Sequence, residues 1–362
     1  MRRVLFLLHG VGEHGAGWAR KPGGPAAVLV EASAAFAAFR ASPLEERAAL
    51  VPLAYDDLLD EAAARWRKSA ADGARRAAGK AEELAKEAGG FLRRAPWLAQ
   101  AADALEAGAA RLRPLAEGIR EAPSLAELAA ALPAVEAAWP DHASDVAAWR
   151  ADSLCRSEVR ARIADEVRRA LAPRAGEELS AVFAAHSLGT AVAHDALDDL
   201  GRRWLASDGP ASPARWRWDA VFMLADVSRL LAVGGPESLV KAGPDADPGS
   251  WARRLFEVRH AWDPIDRVVP KADPAARPST RIEVSHAWRA NVHSFGHYLE
   301  HPAVHVPLLR ALCGEETVTP AEEAAALALA ANRVSVVSES KESLQSQLEA
   351  GVRRVKGLFV KD

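Results

Sequence analysis

The chain is poor in the features that mark several classes of protein. Only 2 of its 362 residues are cysteines, Cys155 and Cys313, too few for a disulfide framework and compatible with a reducing compartment. The apolar run from Val4 to Leu8 is far too short to cross a membrane and lacks the sequel of a cleaved signal peptide. We therefore expect a cytoplasmic protein with neither a signal peptide nor a transmembrane helix.

The chain also lacks a strong charge of either sign. Its formal net charge is -3, which gives no global reason to expect a nucleic-acid partner, and no recognised nucleic-acid motif is present. A length of 362 residues favours about two domains. Composition is therefore compatible with one sizeable core and an appendage, and it gives no support to a nucleic-acid binder.

The most informative motif is the pentapeptide Ala185-His186-Ser187-Leu188-Gly189. Residues 179–184 before it have the pattern of a short buried strand, and residues 190–197 after it have that of a small-residue helix packed on a sheet. A serine in this context lies on a sharp strand-to-helix turn, where residues two before and two after must be small because backbone passes close to backbone. The pattern predicts Ser187 as a nucleophile, with His186 and Gly189 supporting the turn.

A glycine-rich loop, His9-Gly10-Val11-Gly12, follows the first predicted strand. Acyl transfer passes through a tetrahedral oxyanion, which needs two preorganised backbone N–H donors. We assign one donor to Val11 in this turn, supported by His9, Gly10 and Gly12, and the other to Leu188. A phosphate cradle is less favoured, because neither the G-x-x-x-x-G-K-S/T nor the G-x-G-x-x-G spacing is present.

The acid of a serine triad is expected after the serine and before the histidine. Two aspartates, Asp263 and Asp266, follow the predicted strand Leu255–His260. We favour Asp266, because the two branched apolar residues and the proline beyond it anchor a loop, whereas Asp263 before Pro264 suits the start of a turn. Asp226 is a third candidate, and its alternative role is to cap the segment that follows it.

The last predicted strand precedes a histidine-rich stretch, which contains His286, His293, His297, His301 and His305. The catalytic imidazole is expected in the loop between this strand and the closing helix, so we favour His293, with His297 as the alternative. A zinc site is the competing interpretation, since His293 and His297 are four residues apart. No His-Glu-x-x-His pattern or convincing third ligand accompanies them, and we predict no metal.

Taken together, these motifs resemble those of the α/β-hydrolases of the lipase and esterase type. The matching parts are the His9–Gly12 turn, the Ser187 pentapeptide, the acid loop that ends in Val268-Val269-Pro270, and His293. They span residues 3–310 with a long unmatched insertion. Individually only the serine motif is specific, but in combination and in this order the motifs indicate the family.

The resemblance implies a two-step hydrolysis of carboxylic esters without a metal or organic cofactor. Ser187 is the expected nucleophile, His293 the general base and then acid, and Asp266 the group that orients the imidazole and stabilises its cation. The expected substrate is a small-molecule ester or lipid, with a hydrophobic acyl group. Ala185 stands where most members of the family have glycine, a change that leaves the turn intact.

Two other functions stay open. The same triad can serve a thioesterase, an amidase or a lactone hydrolase. A catalytically inactive hydrolase fold can instead act as a scaffold that binds partners through its helical parts. A rate that falls on the acid side, as an imidazole protonates, distinguishes a working triad from a scaffold.

A long alanine-rich segment without strand signals lies between the second predicted strand and the region near Asp145. Large apolar residues recur there every seven positions, which predicts a coiled-coil-like helical hairpin: Leu98, Leu105, Leu112 and Ile119. Such an insertion resembles the cap or lid of lipase-like hydrolases. Residues 65–94 carry a charge of about +5, which indicates either contact with an anionic membrane surface or, as we favour, a solvated helix with ion pairs.

These observations predict an α/β fold with three parts. Residues 1–56 and 145–314 form an α/β-hydrolase core with a mostly parallel sheet, residues 57–144 a helical hairpin insertion, and residues 315–362 a helical C-terminal extension. The extension contains predicted helices over 321–331 and 338–361, and the oligomeric state stays open. The core strands are predicted over residues 3–8, 48–53, 179–184, 220–225, 255–260 and 280–285.

Overall fold

The computed structural model of the chain describes residues 1–10, 15, 17–65, 145, 149, 152–172, 178–205, 217–231, 240–243, 250–263, 279–286, 288 and 291–333. By its internal contacts the chain divides into two compact units, residues 1–56 with 156–362, and residues 57–155.

Eight strands form two parallel sheets in the described residues. They are β1 Arg2–Leu8, β2 Ala49–Leu53, β3 Leu179–His186, β4 Ala220–Leu224, β5 Lys241–Ala242, β6 Ser250–Ala252, β7 Leu255–His260 and β8 Thr280–Val284. The large sheet has the order β2-β1-β3-β4-β7-β8, and every neighbouring pair in it is parallel. Strands β5 and β6 form the small sheet.

The six core strands predicted from the sequence are confirmed, with bounds that differ by a residue or two. They could be predicted because the inner strands are apolar over most of their length, as expected for parallel strands that helices cover on both faces. All five residues of β4 are buried, and so are seven of the eight residues of β3. The short second sheet was not predicted.

The helices of the described residues are α1 Pro25–Ser33, α2 Ala37–Ala41, α3 Leu44–Arg47, α4 Ser153–Leu171, α5 Leu188–Leu205, α6 Ser228–Leu231, α7 Phe295–Glu300, α8 Pro302–Cys313 and α9 Pro320–Asn332. Local chemistry explains where several of them begin. The His301 side chain caps α8, whose first residue is Pro302. Thr319 and Glu322 form a capping box at the start of α9.

The two faces of β1 bury different sets of side chains, because successive residues of a strand point to opposite faces. On one face Leu5 and Leu7 belong to the core that includes residues of α1 and α8. On the other face Phe6 stacks on Phe183 of β3 at 6.0 Å and meets the edge of Trp218 at 5.5 Å. Packing on both faces fixes the sheet from which the site is built.

In the smaller unit, residues 57–65 are helical, and Arg65 Nη2 lies 3.5 Å from the Asp152 carboxylate. The predicted hairpin over 57–144, with its seven-residue repeat and basic surface, lies for the most part outside the described residues and stays a prediction. The predicted terminal helix over 338–361 also lies outside them, whereas the helix predicted over 321–331 lies within α9.

No helix in the described ranges combines the length and the apolar composition that crossing a membrane requires.

Candidate active site

Ser187 occupies a sharp turn between the end of β3 and the start of α5. Its φ of 53° lies in the left-handed region, which non-glycine residues rarely adopt. The Ser187 N–H donates to the carbonyl of Leu224 at the end of β4 (3.0 Å). The Thr190 N–H and hydroxyl both donate to the Ser187 carbonyl, at 2.8 and 2.7 Å. These bonds hold the serine at the carboxyl edge of the sheet, where ligands bind in parallel α/β folds.

The end of β1 passes so close to this turn that only glycine fits at two positions. A Cβ at Gly189 would lie 2.1 Å from the His9 carbonyl oxygen, and a Cβ at Gly10 would lie 2.7 Å from Ser187 Cβ. Both distances are shorter than any contact that a real Cβ makes. Gly189 of the serine motif and Gly10 of the glycine-rich loop are thus required by the close approach of the two segments.

His293 links the serine to a carboxylate. Its Nε2 lies 3.0 Å from Ser187 Oγ, and its Nδ1 lies 2.6 Å from Asp263 Oδ2. Because a carboxylate only accepts hydrogen bonds, Nδ1 carries the proton, and Nε2 is left to accept the serine hydroxyl proton. Ser187, Asp263 and His293 follow β3, β7 and β8, so three strand ends contribute one side chain each.

The turn after β7 aims Asp263 at this histidine. The Asp263 N–H donates to the carbonyl of His260 (3.0 Å), and the Asp263 side chain is fully buried. The Tyr298 hydroxyl of α7 also donates to Asp263 Oδ2. Tyr298 was missed from the sequence, where the only pointer is that a buried tyrosine hydroxyl needs a partner.

The structure brings together some of the predicted site residues and not others. Ser187 and His293, both favoured, are in contact, and the carboxylate against His293 is that of Asp263, the alternative. The favoured acid, Asp266, lies outside the described residues. So do Val11 and Gly12 of the glycine-rich loop.

Two other candidates have different partners. His297, the alternative imidazole, places its Nε2 3.2 Å from the His286 carbonyl rather than against the serine. Asp226 Oδ1 accepts from the N–H of Ser228 at the start of α6 (2.9 Å), which is the capping role considered from the sequence.

His9 and Tyr55 contact each other and hold the backbone at His9 and Gly10, directly after β1. The His9 ring stacks on the Tyr55 ring at 4.5 Å and lies edge-on to Trp18 at 5.2 Å. Its Nδ1 lies 2.6 Å from the Gly10 carbonyl and its Nε2 3.3 Å from Asp56 Oδ2. The Tyr55 hydroxyl donates to the His9 carbonyl (3.0 Å). These contacts fix the backbone that passes Ser187.

His186 packs against the histidine that contacts the serine. Its ring centroid lies 4.7 Å from that of His293, and the ring stacks on Phe295 at 5.3 Å. His186 is buried. The contact restricts the orientation of the His293 ring.

His286 and His297 close the loop that carries His293. The His286 Nε2–H donates to the His297 carbonyl (2.9 Å), and the His297 Nε2–H donates to the His286 carbonyl (3.2 Å). The two rings also stack, with centroids 4.1 Å apart. We call this reciprocal pair the histidine clasp. It ties the end of β8 to α7, so the loop between them has a fixed base.

His260 joins the clasp to form a compact group of three buried histidines. One ring nitrogen from each residue lies within 4.8 Å of the other two, which is close enough for all three to contact one metal ion. The His286 and His297 planes are only 29° apart and face each other, so their in-plane lone pairs do not converge on one ion. The Trp262 N–H donates to His260 Nδ1 (3.1 Å), which forces a protonated Nε2 on the neutral ring. The contacts fit three packed rings better than a metal centre.

Burial keeps three neighbouring histidine rings neutral at pH 7, those of His260, His286 and His301. Removal from water, with a smaller contribution from the charge of His297, lowers the pKa of His260 to about 4 and that of His286 to about 2. The pKa of His301, which neighbours His286 at 4.9 Å, also falls to about 4 for the same two reasons. At neutral pH the His260, His286 and His301 rings are therefore uncharged.

A cavity of about 780 Å³ opens at the opposite edge of the sheet. It is lined in part by Arg3, Asp219, Arg253 and Arg254, near the amino ends of the strands. Asp219 pairs with Arg253 at 3.0 Å, and Arg254 pairs with Glu315 at 2.8 Å. This cavity is remote from Ser187 and has no part in the site.

Comparison of the chain with known proteins finds no similar protein. No family model matches the chain, and neither a curated protein nor a solved structure matches it. The described residues form an α/β fold with a parallel central sheet, which is compatible with the α/β-hydrolases.

The low pKa of His286 predicts a specific loss of stability in acid. The folded pKa of His286 is far below its ordinary value of 6.5, so below pH 6.5 the unfolded chain binds a proton that the folded chain does not. Stability therefore falls as the pH drops through this window. Between pH 7.5 and 5.0, this one group should lower the free energy of unfolding by about 2 kcal/mol.

Urea unfolding of the wild type and of His286→Gln at these two pH values measures the effect. Glutamine does not titrate, so the acid loss should be smaller in the variant by about that 2 kcal/mol. Equal losses in the two proteins would show that His286 does not stay neutral in the folded chain.

Proposed function

We propose that this protein is a serine hydrolase of the α/β-hydrolase type that cleaves carboxylic esters through an acyl-serine intermediate. The observation that carries the proposal is the unbroken line of contacts from Ser187 Oγ through both nitrogens of His293 to Asp263. The order serine, aspartate, histidine along the chain is that of α/β-hydrolases. The left-handed Ser187 between β3 and α5 gives further support, since it has the form of a nucleophile elbow.

The contacts suit each step of this chemistry. As Ser187 Oγ bonds to the carbonyl carbon of the ester, its proton passes to His293 Nε2, and the carbonyl electrons move onto oxygen. The Asp263 carboxylate accepts the Nδ1–H throughout, holds the reactive tautomer and stabilises the imidazolium. The alcohol then leaves with the proton from Nε2. Water attacks the acyl-serine in the same way and releases the carboxylic acid.

The oxyanion of both intermediates needs two backbone donors. The Leu188 N–H suits the role, because Leu188 follows the nucleophile and is the first residue of α5, where helix N–H groups have no intrahelical acceptor. We retain Val11, which lies outside the described residues, as the second donor. Loss of one such donor costs roughly 3 kcal/mol of transition-state stabilisation.

We take Asp263 rather than Asp266 as the acid, because Asp263 contacts His293 and is fully buried. In that setting the carboxylate interacts with an imidazolium without screening by water. The substrate we infer is a small-molecule ester or lipid with a hydrophobic acyl group, and thioester, amide and lactone substrates suit the same contacts. Two buried cysteines, neither of them in a disulfide, support a cytoplasmic location.

An activated serine should react with a fluorophosphonate probe. We expect labelling of the folded wild type at Ser187, located by mass spectrometry of the peptides, and no labelling of Ser187→Ala. The same preparations should hydrolyse p-nitrophenyl esters only when Ser187 is present. A folded wild type that is not labelled at Ser187 would contradict the proposed function and favour the inactive scaffold.

A matched pair of variants distinguishes Asp263 from Asp266 as the acid. Asp263→Asn should lower the labelling rate and the ester hydrolysis rate by roughly a thousandfold or more, because an amide in place of the carboxylate favours the wrong imidazole tautomer. Asp266→Asn should leave both rates within a few-fold of wild type. The reverse order of effects would assign the acid to Asp266.

A further inference from the structure

We propose that Tyr298 is a positioning residue of the active site, whose hydroxyl aims the Asp263 carboxylate at His293 and sets the pH above which His293 acts as a base. This inference rests on the proposed function and adds to it a residue that no motif indicates. The evidence for it is the position of the Tyr298 hydroxyl, which belongs to a fully buried side chain.

The hydroxyl and the imidazole share a single acceptor. Tyr298 Oη–H donates to Asp263 Oδ2, the same oxygen that accepts from His293 Nδ1 at 2.6 Å. Asp263 and Tyr298 are both 0% exposed. Water therefore does not reach the carboxylate, and its charge depends on these protein donors.

The Tyr298 side chain is also held in place. It belongs to α7, whose first turn is capped by the Ser294 hydroxyl, an acceptor for the His297 N–H at 3.3 Å. The Tyr298 ring lies at a steep angle to two flanking rings, 5.6 Å from His260 and 5.7 Å from His186. The hydroxyl is thus a fixed donor, and it connects α7 to the turn after β7.

Physical chemistry gives the direction of its effect. A hydrogen bond to an ionised carboxylate stabilises the charged form, and more strongly where the local dielectric is low. Two donors on one oxygen compete, so the tyrosine lowers the pull of the carboxylate on the Nδ1 proton. Without the hydroxyl, Asp263 would stabilise the imidazolium more, and His293 would keep its proton to a higher pH. The carboxylate would also lose one of the contacts that aim it.

Other titratable groups surround Asp263 and Tyr298. They are His186 at the end of β3, His260 at the end of β7, His286 after β8, and His297 on α7. Burial lowers the pKa of His260 to about 4 and that of His286 to about 2, so neither charges between pH 5 and 9. These two rings therefore do not contribute to a change in the pH profile over that range.

The competing explanation is that the Tyr298 hydroxyl bonds Asp263 only because a buried tyrosine hydroxyl needs a hydrogen-bond acceptor. In that case its removal lowers stability and leaves the pH profile unchanged. The two explanations therefore differ in a measurement other than the rate.

The experiment compares Tyr298→Phe with wild type in the second-order rate of fluorophosphonate labelling at Ser187 between pH 5 and 9. We expect the midpoint of the acid limb to rise by about one pH unit, since one unit corresponds to a hydrogen bond of ordinary strength to a charge. The labelling rate on the plateau should fall roughly tenfold, because the Asp263 carboxylate is less well oriented toward His293.

Ser33→Ala is the matched control, because it also removes a buried hydroxyl, one that donates to the Val30 carbonyl at 2.8 Å in α1. Ser33→Ala should lower the free energy of unfolding and leave the pH profile of Ser187 labelling as in the wild type. If Tyr298→Phe does not fold, 3-fluorotyrosine at position 298 is the second variant. As a stronger donor it should move the midpoint to lower pH.

A wild-type midpoint in folded Tyr298→Phe, or in the fluorotyrosine protein, would overturn the inference and leave the proposed function standing. An absence of Ser187 labelling in wild type would instead contradict both.

Discussion

The close approach of the end of β1 to the turn at Ser187 is the constraint on which the site depends. The backbone at His9 occupies the space that any side chain at position 189 would need, and Gly10 leaves no room for a Cβ beside Ser187. A left-handed serine costs of order 1–3 kcal/mol and persists only where surrounding structure fixes it. Here the bond from the Ser187 N–H to Leu224 and the two bonds from Thr190 supply that constraint. The hydroxyl consequently stands at the edge of the sheet, where His293 reaches it.

The other half of the site is built from polar groups in a buried environment, where each one needs a partner. The histidine clasp fixes the base of the loop that carries His293, and Tyr298 connects the following helix to Asp263. These bonds are strong because water is excluded, and the same exclusion makes the arrangement sensitive to acid. The stability of this side of the site, and its dependence on pH, thus both originate in burial.

The six core strands and the serine turn could be predicted from the sequence, because long apolar runs and obligatory small residues are local signals. His293 was favoured for its place after the last strand, where the structure has it against Ser187. Asp263 was not favoured as the acid, because its place before Pro264 is typical of the start of a turn. The Asp263 N–H bond to the His260 carbonyl, which orients that carboxylate, is a property of the folded turn. Tyr298 and the histidine clasp were missed for the same reason, since their roles arise between elements distant in sequence. The helical insertion and the terminal helix stay predictions.

A proton NMR spectrum of the unliganded protein would test whether Ser187, His293 and Asp263 work as one hydrogen-bonded unit. A histidine Nδ1–H held by a buried carboxylate gives a resonance far downfield of the amide protons. The account predicts such a resonance in the wild type and in Ser187→Ala, and its loss in His293→Gln. Its absence from the folded wild type, or its persistence in His293→Gln, would contradict the link between His293 and Asp263 and with it the assignment of a catalytic triad.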